Sequence, residues 1–100
     1  MTKEALNSNK IIKKIEERSK DIRKFNVKKI GLFGSYIKKK NKNKSDIDLL
    51  VTFNKQTFDN YMDLLFLLER IFKRKVDLII EKDLHPALSY VKKEARYVRL

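Results

Sequence analysis

The apolar positions of this chain repeat with two different periods, and the change of period marks its elements. Ile11, Ile12, Ile15, Ile22 and Phe25 recur near helical spacing with charges on the opposite face, and Ser8 is placed to cap a helix running to about Lys24. From Asn26 the pattern shortens: Val27, Ile30, Leu32 and Phe33 predict a strand that ends on glycine. The segment from Tyr36 to Ser45 holds five lysines and two asparagines and reads as a solvated, mobile loop.

Asp46 to Phe53 alternates, with Ile47, Leu49, Val51 and Phe53 on one face and Asp46, Asp48, Leu50 and Thr52 on the other. Leu50 follows the two acids on their own face, so this strand passes from a polar entrance into covered interior. A helix from about Asp59 to Arg74 carries the stripe Tyr61, Leu64, Leu65, Leu68, Ile71 and Phe72, wide enough to pack on a sheet. Its basic end, Arg70, Lys73 and Arg74, complements the helix dipole. Lys75 to Glu81 predicts a third strand, and Pro86 opens a last helix with Leu84, Leu88, Val91, Ala95 and Val98 on one side.

The predicted order is helix, strand, strand, helix, strand, helix. This is an α+β fold, a small mixed sheet packed with helices in a single domain spanning residues 1–100. A strand-helix-strand unit in one sheet makes its two strands parallel, which brings Asp77 near Asp46 and Asp48 if those strands are neighbours. The first two strands, joined by a loop, pair antiparallel.

Composition narrows the chemistry. The 100 residues contain no cysteine, so neither disulfides nor thiolate metal sites are available. No apolar run approaches the roughly 18 residues of a membrane span, and Met1-Thr2-Lys3-Glu4 lacks the hydrophobic block of a signal peptide, so the expectation is a cytoplasmic protein without membrane contact. Lysine and arginine number 25 against 13 acids, a net charge of +12 that favours anionic partners such as nucleotide or nucleic acid. The lysines at 38, 39, 40, 42 and 44 carry no interleaved aromatic side chains to stack on bases, which weighs against a nucleic-acid module.

The sharpest signal is Gly31-Leu32-Phe33-Gly34-Ser35, followed after ten residues by Asp46-Ile47-Asp48. Gly34 admits positive φ and a close approach by phosphate, and the amide and hydroxyl of Ser35 are donors for phosphate oxygens. Residues two apart on a strand lie roughly 6.6 Å from each other, where two carboxylates repel by about 2.5 kcal/mol at an effective dielectric near 20. A third acid at Asp77 adds to the cost unless protons or cations neutralise the group, and hard oxygen ligands of this kind suit magnesium.

Gly34-Ser35, the ten-residue gap, Asp46-Ile47-Asp48 and the later strand acid Asp77 together resemble the signature of the DNA polymerase β-type nucleotidyltransferases. The short chain is most similar to their minimal branch, which includes the antitoxin partners of HEPN-domain ribonuclease toxins. The resemblance implies that Gly34 and Ser35 hold the triphosphate of ATP, that Asp46, Asp48 and Asp77 bind two magnesium ions and are catalytic, and that Asp77 helps deprotonate the attacking hydroxyl. It further implies transfer of AMP to a tyrosine of a HEPN-type toxin within a hetero-oligomer. Many members carry a small residue, an arginine and a glycine where this chain has Ile37, Lys38 and Lys39; Lys38 offers phosphate a point charge in place of the bidentate arginine fork. Two other functions fit less of the motif: an antitoxin that neutralises by binding alone, and a basic nucleic-acid-binding module.

Overall fold

The computed structural model describes residues 6–39 and 45–100; the lysines at 40, 42 and 44 lie outside the described residues. A four-stranded mixed sheet in the order β3-β2-β1-β4 forms the frame. Strand β1 (Val27–Phe33) pairs antiparallel with β2 (Ile47–Phe53), and β2 pairs parallel with β3 (Val76–Ile80) across the helix α3 (Phe58–Phe72). The expected α+β architecture and both pairings are present.

One sheet face is dry because alternate strand positions are aliphatic. Ile30 and Leu32 of β1, Ile47, Leu49 and Val51 of β2, and Val76 and Leu78 of β3 are buried in one cluster with the helices. Leu64, Leu67, Leu68 and Phe72 of α3 pack into it, as do Ile11, Ile12 and Ile15 of α1 (Ser8–Glu17) and Ile22 of α2 (Ser19–Lys24).

Three local predictions need correction. The first helix is two, because the chain turns at Arg18; every residue from Glu16 to Asp21 is polar, so burial does not enforce one rod there. Its cap is Asn7, whose side chain accepts from the Lys10 amide at 2.9 Å, and Ser8 is already helical. The last helix is also shorter than its apolar spacing predicts. After 3-10 turns at Glu81–Asp83 and Pro86–Leu88, α4 covers only Tyr90–Glu94, and Arg96–Tyr97 forms β4 against β1. The open edge of β1 supplies backbone partners that a continued helix would forgo, and the Val98 amide donates to the Ile30 carbonyl at 2.8 Å.

The β3 edge of the sheet is covered. At β3, the Val76 amide donates to Glu69 at 3.2 Å and the Tyr61 hydroxyl donates to the Leu78 carbonyl at 2.6 Å, so two α3 side chains occupy the exposed ladder. Just past β3, Glu81 accepts from Tyr97 of β4 at 2.6 Å and Thr52 of β2 at 2.8 Å, with Lys29 of β1 at 3.2 Å. Burial works to raise the Glu81 pKa, but these three donors prevail and hold it below the usual range; burial and Glu81 together push the Tyr97 hydroxyl up to about 12.

Helix α3 starts at a side-chain cap: Thr57 Oγ1 accepts from the Asn60 amide at 3.0 Å. Thr57→Ala is expected to cost about 1 kcal/mol, seen as a lower urea midpoint at an unchanged slope.

Candidate active site

The acids arrive together because of register. The aliphatic residues Ile47, Leu49 and Val51 face the core, so Asp48 is carried on the other face of β2. Parallel pairing sets Asp48 directly opposite Asp77, and antiparallel pairing sets it opposite Phe33, the residue before the glycine turn. The turn at Gly34–Tyr36 therefore comes down on the acid-bearing end of the sheet.

Gly34 has φ +78, and a Cβ added there would lie 2.2 Å from Asp48 Oδ2 and 3.0 Å from its Cγ. The turn and the carboxyl are in contact, with space for no side chain between them. The Ser35 amide, which the sequence assigns to phosphate, donates to Asp48 in this structure. The Gly34 carbonyl accepts from both Ile37 and Lys38 amides, at 3.1 and 3.0 Å, closing the turn.

The electrostatics follow from this crowding. Burial, then the charge and hydrogen bond of Asp77, then the charge of Asp46 raise the Asp48 pKa from 3.8 to about 6, and the Ser35 amide only partly offsets them. Asp77 bears on Asp48 as a neighbouring charge and as a hydrogen-bonding partner, and both influences favour the neutral form of Asp48. Asp46 faces Lys75, Oδ2 to Nζ 3.9 Å. Among the described residues no three acids or histidines are already set as a metal cage. Even so, the Asp48–Asp77 pair fits a divalent cation by its donor chemistry: two carboxyls set opposite each other on adjacent strands are hard oxygen donors whose repulsion a doubly charged ion would neutralise.

The predicted site residues divide accordingly. Gly34, Ser35, Asp48 and Asp77 are brought together, with Asp46 alongside within electrostatic reach. Lys38 is placed elsewhere: its Nζ lies 3.8 Å from Glu94 and 5.8 Å from the centre of the Tyr90 ring, against α4. Sequence reasoning missed Tyr36 and Arg74. The first is buried beside the turn, and the second, read only as a complement to the helix dipole, donates to the Tyr36 hydroxyl. Two clefts of about 250 and 260 Å³ share Gln56 and Ile80 at the far end of β3, and none of the three acids lines them.

Comparison with known proteins agrees with this geometry. The family model described as polymerase beta, nucleotidyltransferase, matches residues 9–96. A protein of Methanocaldococcus jannaschii, assigned as a protein adenylyltransferase, is 43% identical over 86 residues, covering 83% of this chain and 82% of its own. A solved minimal nucleotidyltransferase superposes with a TM-score of 0.69 at 26% identity, over 85% of this chain and 93% of that one. A Shewanella oneidensis complex of tri-AMPylated HEPN toxin with its MNT antitoxin shares the fold at 20% identity and a TM-score of 0.59, over 86% of this chain and 70% of that one.

Proposed function

The chain belongs to the polymerase beta nucleotidyltransferase family, and on that footing we propose that it transfers AMP from ATP to a tyrosine hydroxyl of a HEPN-type toxin and so acts as an antitoxin. The observation that carries this reading is the Asp48–Asp77 pair, in register on adjacent strands and in contact with the Gly34–Ser35 turn. The S. oneidensis relative is a complex of an AMPylated HEPN toxin with its antitoxin, which supports the choice of partner and product.

In this mechanism the tyrosine oxygen attacks the α-phosphorus of ATP. The new O–P bond forms as the bond to the pyrophosphate oxygen breaks, and Asp77 helps take up the hydroxyl proton. The narrow Gly34 position lets triphosphate approach the backbone, and Ser35 donates to it once released from Asp48. Asp48 and Asp77, with Asp46 alongside, would hold magnesium. Bound there, magnesium supplies neutralisation of charge on the entering and leaving oxygens. Lys38 reaches phosphate only after leaving Glu94, so its contribution is the smallest of the set. The whole chain acts as one domain in the cytoplasm, in a hetero-oligomer with its target.

The test is label transfer. Incubation with α-labelled ATP, magnesium and a HEPN-type toxin, taken from the adjacent open reading frame where one encodes it, should label that protein. Asp46→Asn combined with Asp48→Asn should reduce labelling by at least about a hundredfold. Equal labelling by both proteins contradicts catalysis; toxin neutralised by both without label indicates a stoichiometric antitoxin.

A further inference from the structure

Tyr36 is 2% exposed, and its hydroxyl is the meeting point of three segments. It donates to the Ser45 carbonyl at 3.3 Å and accepts from Arg74 Nη1. Tyr36 directly follows Ser35 of the turn, Ser45 directly precedes Asp46, and Arg74 lies three residues before Asp77. The next residue, Lys75, faces Asp46 with its ammonium and accepts the Ile47 amide at its carbonyl, 3.1 Å. One hydroxyl thus ties the glycine-serine turn to the starts of both acid-bearing strands.

This tie is expensive as architecture. Among the described residues Arg74 has no carboxylate partner, and its Nε is buried with no hydrogen-bond acceptor. An apolar pair of similar volume would fill the same space without desolvating a cation, and such replacements are often neutral or stabilising. A costly polar contact at the hinge of three site segments is better explained by what it positions than by what it stabilises.

We propose that Tyr36 and Arg74 are a positioning pair for the nucleotidyltransferase site, setting the Gly34–Ser35 turn at its working distance from Asp46, Asp48 and Asp77 and thereby governing affinity for ATP. The inference rests on the function proposed above. Neither side chain touches the reacting atoms; both act through the turn and the strand starts.

Tyr36→Phe combined with Arg74→Met removes the hydroxyl and the guanidinium together while keeping the bulk, and takes a donor only from the half-buried Ser45 carbonyl, so stability falls little. Calorimetric titration with ATP and magnesium should show the dissociation constant rising roughly tenfold, the loss of about one charge-assisted hydrogen bond's worth of alignment. Arg74→Lys should recover only part of it, because an ammonium lacks the planar fork. Thr57→Ala serves as comparator: it loses stability beside Ile80, far along β3, and should bind ATP as the wild type does. Wild-type affinity in the double variant overturns the proposal, as does an equal loss of affinity in Thr57→Ala. A wild-type protein that binds no ATP overturns the nucleotidyltransferase reading itself, and the positioning pair with it.

Discussion

Gly34→Ala is expected to lower nucleotidyl transfer by at least about two orders of magnitude, the scale set by misplacing reacting groups by an ångström, and to cost roughly 2 kcal/mol of stability. Two independent constraints act at this residue. Its φ of +78 is a conformation that L side chains rarely adopt, and the added Cβ would stand 2.2 Å from Asp48 Oδ2. Asp48 is a poor candidate for yielding, since its Cγ and Cβ are also only 3.0 and 3.1 Å away. Either the turn lifts off the sheet or the carboxyl rotates away from the Ser35 amide and from Asp77. Both displace the groups that would meet the triphosphate. Gly31 offers the contrast: the Tyr97 ring, Cδ1 at 2.8 Å, would have to shift and loosen its bond to Glu81, but no positive φ adds backbone strain there and none of the three acids is displaced. Paired transfer assays and urea melts on the two alanine variants separate the positions.

Asp48→Asn is expected to abolish transfer while making the metal-free protein more stable at neutral pH. In the folded chain this carboxyl keeps its proton up to about pH 6, against a usual value of 3.8. Its favourable contribution to stability is therefore complete below about pH 4, and it is lost as pH rises through 6. Above that the ionised pair of acids is a fixed penalty. After discounting for the solvent that reaches Asp48, the penalty is on the order of 1 to 2 kcal/mol. Asparagine removes the charge and keeps the shape, so at pH 7.5 in EDTA the variant should melt roughly 5 °C or more above the wild type. At pH 4 the two should melt together. A variant that loses both activity and stability at pH 7.5 would mean that Asp48 is held by structural bonds and not strained for function.

The parts of the site legible in the sequence were those fixed by period and register. Alternation in β2 put Asp48 opposite the core, and the α3 crossover put Asp77 beside it, because a helix of that length returns the chain parallel to its starting strand. What the sequence hid depended on contacts between distant segments. Val98 sits at helical spacing from Val91 and Ala95, yet it lies just past β4, since the edge of β1 needed a partner. Arg74 gives no local sign that it reaches back 38 residues to Tyr36. The Ser35 amide is similar: only the folded geometry shows it held by Asp48. Lys38 follows the turn in sequence, and its ion pair with Glu94 could not be read from composition.

Everything proposed for this site requires Asp48 and Asp77 together to cradle a cation beneath nucleotide held at Gly34–Ser35. Crystals grown with manganese and a non-hydrolysable ATP analogue test it most directly, through the anomalous signal of the metal. The expected result is a manganese peak shared by the Asp48 and Asp77 carboxylates, with the triphosphate against the turn. Bound nucleotide with no metal between those carboxylates, or manganese held only at other acids, would contradict it.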